Sequence, residues 1–218
     1  IDMHKDQSYV LWGLNQHHLK RTIFPLGNMI KEDVRKFARE RELKTAAVPE
    51  SQEICFIPHN DYRRFIKQRI PELENKLKGG AIIDEKGKVL GIHNGYPFYT
   101  IGQRRRLGLS LGHPLYVRKI YPDINTIEVC EKEGLKVLQF VVKDVNWING
   151  EGLKAQVVVI PKVRYNHSGT PSTIFPLTKN QISVIFKTAY GAVTPGQSAV
   201  FYRGEEVLGG GIIDRITK

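Results

Sequence analysis

The C-terminal part of the chain alternates short β-rich runs with turn residues, and no helical pattern of ordinary length interrupts them. The runs of β-branched and aromatic residues lie at 155–160, 181–186, 197–202 and 206–213. This rhythm is typical of a small barrel or a sandwich of antiparallel strands. We therefore expect residues 135–218 to form a C-terminal β-barrel domain.

The preceding residues form two parts that differ in their pattern of apolar and polar residues. Residues 1–70 are mostly helical in pattern, and the apolar residues within 30–40 recur at the spacing of one helix face. A second helix is predicted to begin at Asn60 or Asp61 as its cap and to stop before Pro71. Residues 71–134 change to a strand pattern, with a hairpin signal at 81–92. The fold class expected is α+β, with a small central mainly-β domain at 71–134.

The chain carries 33 lysine and arginine residues against 22 aspartate and glutamate residues, a formal net charge of +11. The positive electrostatic potential of such a chain favours polyanionic partners, of which nucleic acid is the first expectation and an anionic membrane surface the second. A merely basic soluble protein is the alternative. No apolar run reaches the roughly 18 residues that span a bilayer, and the first residues do not read as a signal peptide.

Only two cysteines occur, which cannot build a disulfide framework or, alone, a structural zinc site. This usage indicates a reducing, cytoplasmic compartment. The seven histidines are scattered or adjacent rather than spaced as ligands, so no metal site is predicted.

The two cysteines differ in their surroundings. Cys55 stands between two apolar residues, and taken alone such a cysteine is more often a small buried hydrophobe. It has the polar neighbours Gln52 and Glu53 on an otherwise apolar segment, and several cations nearby in sequence favour a thiolate, which is the form that sulfur chemistry needs. Cys130 has glutamates on both sides, which raise the pKa of a thiol, so we expect it to be structural.

Three segments combine cations with polar or aromatic side chains. Residues 5–9, Lys-Asp-Gln-Ser-Tyr, suit phosphate and base contacts, although a capped helix start is the favoured alternative. Three arginines at 104–106 follow a glycine turn. Their planar guanidinium groups can bind phosphate oxygens through two hydrogen bonds, so contact with an RNA backbone is favoured over a basic loop that only increases solubility. Arg164 and Tyr165 follow a strand and pair phosphate contact with base stacking, while a polar barrel edge stays equally open.

Taken together, these segments resemble the tRNA-specific 2-thiouridylase family. The matching pieces follow the order of the family and extend over essentially the whole chain. They lie at 5–9, 24–27, 51–57, 99–105, 164–165 and 194–200. The run Ser-Gln-Glu-Ile-Cys-Phe-Ile at 51–57 is the most specific of them.

The resemblance implies a three-part enzyme: an α/β ATP-binding catalytic domain, a central domain and a C-terminal β-barrel. Residues 1–70 would then be the helical C-terminal part of the catalytic domain. The implied reaction thiolates the wobble uridine in the anticodon arm of certain tRNAs. ATP activates the uridine C2 oxygen, and a persulfide on the second catalytic cysteine, which Cys55 matches, delivers the sulfur.

The resemblance also implies partners and binding residues. A sulfur-donor protein of the desulfurase or sulfur-relay type would load Cys55. The tRNA-binding residues carried over from the family, together with the two arginines predicted from their own context, are Lys5, Asp6, Gln7, Arg164, Tyr165, Gln197, Arg104 and Arg105.

Several family features are missing from these residues. The Ser-Gly-Gly-Val-Asp-Ser ATP loop, the catalytic aspartate and the first cysteine of the family all precede the motif at 5–9. We therefore expect the chain to be a fragment, with ATP bound outside it and no turnover alone. Arg106 also stands where the family usually has glycine, which bears on the geometry of that turn.

Two other functions stay open. One is a tRNA-binding module that uses the basic surface and the barrel without sulfur chemistry at Cys55. The other is a translation-type β-barrel protein in which Cys55 is buried and inert, and unreactive to alkylation until unfolding.

Overall fold

A computed structural model of the chain describes residues 1–48, 56–57, 61–165, 169–191 and 193–217. The fold divides into two compact units. Unit one comprises Ile1–Pro49 with Val137–Lys218, and unit two comprises Glu50–Lys136. Among the described residues, no helix is both long enough and apolar enough to cross a membrane. The domain boundaries expected at 70 and 134 stay a prediction.

The N-terminal segment of unit one contains three short helical elements. A 3-10 helix covers Ser8–Gly13, α1 covers Gln16–Leu19 and α2 covers Lys31–Glu40. The helix predicted within 30–40 is thereby confirmed. No residue in 1–48 is fully buried, and Phe37 of the apolar face of α2 is 46% exposed.

Among its described residues, unit two contains a four-stranded sheet, two α-helices and three short 3-10 helices. The α-helices are α3, Tyr62–Arg69, and α4, Leu73–Leu77, and the 3-10 helices cover Tyr96–Phe98, Pro122–Ile124 and Lys132–Leu135. Its strands are β1, Gly80–Ile83; β2, Val89–His93; β3, Tyr116–Tyr121; and β4, Thr126–Cys130. The strand order is β2-β1-β4-β3, in which β1 and β4 are parallel and the other pairs antiparallel.

The core of unit two lies against this sheet. Its buried apolar residues are Ile82, Phe98, Tyr99, Leu107, Val117, Ile127 and Val129. The predicted hairpin at 81–92 is confirmed by the pairing of β1 with β2. The predicted cap is confirmed as well, because the carboxylate of Asp61 accepts the backbone N–H of Arg64 at 3.0 Å.

Six strands of unit one close into a barrel. They are β5, Lys136–Trp147; β6, Val157–Lys162; β7, Ser172–Thr178; β8, Gln181–Gly191; β9, Ser198–Arg203; and β10, Glu206–Ile216. Their order is β10-β5-β8-β7-β6-β9. Side chains that alternate inward fill the interior, led by Phe140, Phe186 and Phe201. The α+β fold class is confirmed by the few helices, the mainly-β part and the closed barrel.

The N-terminal segment packs against the barrel next to three successive glycines of β10, Gly209, Gly210 and Gly211. The amide of Asn146 donates to the carbonyls of Trp12 at 2.6 Å and Leu14 at 3.1 Å. The ring of Trp12 lies so close to Gly210 that a Cβ atom there would be 2.9 Å from its Cγ. Close approach of backbone and ring therefore requires glycine at this position.

Candidate nucleic-acid interface

Three segments that are distant in sequence meet on one side of unit one. The amide of Gln7 donates to the phenol oxygen of Tyr165 at 2.8 Å. The guanidinium of Arg164 donates to the hydroxyl of Thr194 at 3.1 Å, and the phenol of Tyr9 donates to the carbonyl of Ser198 at 2.8 Å. These bonds join residues 5–9, the end of β6 and the turn before β9.

We call this surface the barrel patch and define it by six of the predicted tRNA-binding residues. They are Lys5, Asp6, Gln7, Arg164, Tyr165 and Gln197. Five of them have side chains classed as exposed, and Arg164 is half-buried. The structure thus brings together, within one unit, all the residues that the resemblance assigns to tRNA.

Asp6 has two structural roles in the barrel patch. Its carboxylate accepts the backbone N–H and the hydroxyl of Ser8, both at 2.8 Å, at the start of the 3-10 helix. The N-cap of this helix is Gln7, which makes no side-chain cap bond, so the alternative of a capped helix start is wrong, and Asp6 instead forms a turn with Ser8. The same carboxylate lies 3.9 Å from the ammonium of Lys162, whose other neighbour is the ring of Tyr202 at 4.6 Å.

Tyr165 offers an aromatic side chain to solvent. It is 40% exposed, and its ring meets that of Tyr9 edge to face at 6.3 Å. Burial raises the pKa of Tyr9 and, to a degree offset by its bond with Ser8, that of Tyr202. Both phenols are therefore neutral near pH 7, while the exposed ring of Tyr165 is available for stacking.

Gln197 lies in a tight turn that is bonded to β10. Its carbonyl accepts the backbone N–H of Ile213 at 2.8 Å, and the N–H of Gly196 donates to the carbonyl of Ile213 at 2.8 Å. Gly196 has a φ of +86°, a conformation that favours glycine. The turn fixes the backbone, which leaves the exposed side chain of Gln197 available for a ligand.

Arg104 and Arg105 belong to unit two. Both side chains are exposed, and the carbonyl of Arg105 accepts the amide of Gln103 at 2.9 Å. The next residue, Arg106, has a φ of +63°. The turn geometry at the departure from the family is therefore the left-handed one that glycine adopts most easily.

Cys55 lies outside the described residues. Cys130 lies in β4, is buried, and has a pKa raised to about 11, first by burial and then by Glu85. The expectation of a raised pKa at Cys130 is confirmed, with burial as the larger cause. Such a thiol carries almost no thiolate near pH 7.

The residues that sequence reasoning missed are those that hold the patch in place. The motif at 5–9 does not show what Ser8 contacts, and the strand run at 197–202 does not set Tyr202 apart, yet the hydroxyl of Ser8 and the phenol oxygen of Tyr202 lie 3.0 Å apart. A tyrosine within a barrel strand gives no such signal, because strands commonly bury aromatic residues. Only the spatial pairing reveals these contacts.

Three family models match successive parts of the chain. Residues 1–59 match the tRNA methyl transferase HUP domain, and residues 63–131 match the tRNA methyl transferase PRC-barrel domain. Residues 137–213 match the aminomethyltransferase beta-barrel domain.

Curated relatives are similar along the entire chain. A tRNA-specific 2-thiouridylase MnmA of Chlorobium phaeobacteroides is 50% identical over 218 residues, which are 100% of this chain and 61% of the relative. A protein of the same name from Cytophaga hutchinsonii is 46% identical over 98% of this chain and 58% of its own length. One from Carboxydothermus hydrogenoformans is 44% identical over 99% and 58%. The chain thus spans about three fifths of the length of these relatives.

Proposed function

The chain belongs to the tRNA-specific 2-thiouridylase family, and from this premise we propose that it is the central and C-terminal part of a tRNA uridine 2-sulfurtransferase. Its substrate is the wobble uridine in the anticodon arm of a tRNA, and its setting is the cytoplasm. The observation that carries the proposal is the barrel patch. Three segments that are distant in sequence, and that the resemblance assigns to tRNA binding, are joined there by hydrogen bonds within one unit.

The barrel patch suits a single-stranded RNA loop. Arg164 supplies a planar cation for a phosphate, Gln7 and Gln197 supply amides for base edges, and Tyr165 supplies an exposed ring for stacking. Bases of an anticodon loop are already unpaired, so splaying one of them out costs little. The patch therefore holds the loop while the target base is presented to the catalytic domain.

In this proposal Cys55 carries the transferable sulfur as a persulfide. ATP, bound outside these residues, supplies activation of the uridine C2 oxygen as an adenylate, which makes that oxygen a good leaving group. The persulfide sulfur replaces the oxygen at C2, and a thiol of the preceding part of the enzyme attacks the sulfur of Cys55, so that Cys55 ends in a disulfide with that thiol. A sulfur-donor protein reloads Cys55 after the disulfide is reduced.

The test is to incubate the chain with a cysteine desulfurase and cysteine and to measure peptide masses. We expect one added sulfur atom on Cys55 and none on Cys130, which serves as an internal control because it is buried and has a pKa of about 11. The same preparation is titrated against a labelled tRNA transcript by fluorescence anisotropy.

The two readouts separate the proposed function from its alternatives. Sulfur on Cys55 together with tRNA binding supports the sulfurtransferase. Binding of tRNA with no sulfur on Cys55 favours the RNA-binding module instead. Absence of both, with Cys55 unreactive to alkylation before unfolding, favours the inert barrel protein.

A further inference from the structure

Unit two contains a cationic surface of which only Arg106, from the arginine run at 104–106, is singled out by the sequence analysis. Helix α3 and the loop at Arg106 line an open groove of about 480 Å³, which we call the basic groove. Its lining residues are Asp61, Arg63, Arg64, Lys67, Gln68 and Arg106. Four of these six side chains are cations.

Helical spacing explains why the cations share one groove. Arg63, Arg64, Lys67 and Gln68 stand at positions i, i+1, i+4 and i+5 of α3, so they project from one side of the helix. The apolar residues Phe65 and Ile66 of the same helix are only partly exposed. A helix predicted from its apolar residues thus also presents a cationic side, which forms the wall of a groove.

The arginine at the core of the groove is held in place by aromatic residues. The guanidinium of Arg63 donates to the carbonyl of Phe98 at 2.9 Å and lies over the ring of Tyr99 at 5.4 Å. Its Nε is buried and has no hydrogen-bond partner among the described residues. A buried donor without an acceptor is costly, so this guanidinium has hydrogen-bonding capacity that the described residues do not use.

The other arginines of the groove have no acidic side-chain partner among the described residues. In the described part of the chain, neither Arg64 nor Arg106 forms an ion pair, whereas Arg118 of the same unit lies 3.0 Å from Glu85 and 2.7 Å from Glu128. The one acid in the groove, Asp61, accepts the backbone N–H of Arg64 as the cap of α3. Clustered cations repel one another, so the groove is electrostatically suited to an anion.

The shape and lining of the groove decide which kind of anion fits. Sites for small organic ligands are concave and mostly apolar, with few polar groups. This groove is open and all six of its lining residues are polar or charged, so the apolar part of its surface comes from the carbon stems of these side chains. Several cations in an open groove match an extended polyanion, and a phosphate backbone needs no enclosed pocket.

We propose that the basic groove binds the phosphate backbone of the RNA substrate, as a contact surface separate from the barrel patch. Arg64, Lys67 and Arg106 supply the charge, and Arg63 is the positioned donor. The proposal rests on the proposed function only for the identity of the RNA. Because backbone phosphates are the same in every sequence, the groove contributes affinity and salt dependence rather than sequence preference.

The test compares two double variants that each remove two positive charges from exposed sites of unit two. Arg64→Gln with Arg106→Gly alters the groove, and Lys86→Gln with Lys88→Gln alters the turn of the β1–β2 hairpin. Binding of a labelled tRNA transcript is measured by fluorescence anisotropy over a series of salt concentrations. For the groove variant we expect about tenfold weaker binding at low salt and a salt slope smaller by about two.

The hairpin variant is expected to bind like the unaltered chain. Equal losses in both variants, or unchanged binding by the groove variant, would overturn the groove proposal while leaving the proposed function intact. A groove variant that keeps its RNA binding but loses binding to an acidic protein would overturn the groove proposal as well. Failure of the unaltered chain to bind the transcript would instead reject the proposed function, and the groove proposal with it.

A second measurement guards against misfolding. Arg106 has a φ of +63°, so Arg106→Gly relieves the backbone and is expected to raise the melting temperature of the chain. Weaker RNA binding by a groove variant that is no less stable comes from the two lost side chains and not from misfolding. If the melting temperature falls instead, binding by Arg64→Gln alone decides: weaker binding supports the groove proposal and unchanged binding overturns it.

Discussion

The barrel patch and the basic groove both offer cations to an RNA, but they are constructed differently. In the patch, Asp6 lies near Lys162 of the adjoining strand β6, and Arg164 is bonded to Thr194. In the groove, Arg64 and Arg106 have no acidic partner within the described residues. The patch is preorganised by contacts between distant segments, whereas the groove depends on one helix and one loop.

This difference teaches that the two surfaces should respond to different changes. A preorganised set of hydrogen bonds depends on packing and discriminates by geometry. A cluster of exposed cations depends on charge alone and is weakened by salt. Damage to the barrel should therefore abolish the patch and spare the groove.

The largest effect is expected from Gly210→Ala. The added Cβ would lie 2.7 Å from the carbonyl of Ala199 and 2.9 Å from Cγ of Trp12. We expect the free energy of unfolding of unit one to fall by about 3 kcal/mol, because the N-terminal segment must move away from β10. The measurement is urea unfolding followed by tryptophan fluorescence, since both tryptophans, Trp12 and Trp147, belong to unit one.

The matched control is Gly13→Ala, where a Cβ would meet nothing within 4 Å. It should change the stability by no more than about 0.5 kcal/mol. Gly210→Ala should also weaken RNA binding while leaving hydrogen exchange in unit two unchanged. Equal stability in the two variants would mean that the docking of Trp12 does not hold the patch.

A smaller effect is expected from Arg164→Ala in the barrel patch. Loss of a charged hydrogen bond to RNA is worth about 1.4 kcal/mol, or about tenfold in affinity, and flattens the salt slope by about one. Arg203→Ala is the control, because Arg203 is an exposed arginine of the same barrel and is paired with Glu206 at 2.9 Å. Anisotropy with a tRNA transcript measures both. Equal losses would show that the patch acts only through net charge.

The smallest effect is a pH dependence confined to unit two. His93 is buried, its Nδ1 accepts the backbone N–H of Gly95 at 3.0 Å, and its ring meets that of Tyr99 edge to face. Burial lowers its pKa below the ordinary 6.5, an effect partly offset by the backbone of Asn125. The unfolded chain therefore takes up this proton first, so the contribution of His93 to stability is complete above pH 6.5 and is lost as the pH falls below it.

Hydrogen exchange of β1 and β4 amides at about pH 7.5 and about pH 5.5, corrected for the intrinsic exchange rate, measures this loss. The variant His93→Asn keeps an acceptor for Gly95 but cannot titrate in this range. We expect it to be less stable at both pH values and to lose the pH dependence. A pH dependence that persists in His93→Asn would assign it to other groups.

Much of the fold could be predicted from local patterns. The turn spacing of the C-terminal part predicted the barrel, and the apolar periodicity of 30–40 predicted α2 to within one residue. The cap at Asp61 was predicted from residue type alone. These features depend on neighbours in sequence, and such neighbours are visible without a structure.

The rest depends on contacts between distant segments. Nothing in the local sequence links Asn146 to the carbonyl of Trp12, or Gln7 to Tyr165, 158 residues away. The residues of the barrel patch are grouped by the resemblance to the family, and no pattern among the residues themselves predicts that they lie together. The cations of α3 look like an ordinary solvated helix face, and only the loop at Arg106 turns that face into a groove.

The glycine run of β10 has a genetic consequence. A Cβ at Gly209, Gly210 or Gly211 would come within 2.2 Å, 2.7 Å and 2.6 Å of a backbone carbonyl oxygen, respectively. Every missense change in a glycine codon adds at least that one atom. In a saturation library under selection, we therefore expect these three codons to tolerate only silent third-base changes. The lack of missense changes there would reflect the lack of room for a Cβ atom beside each of these glycines.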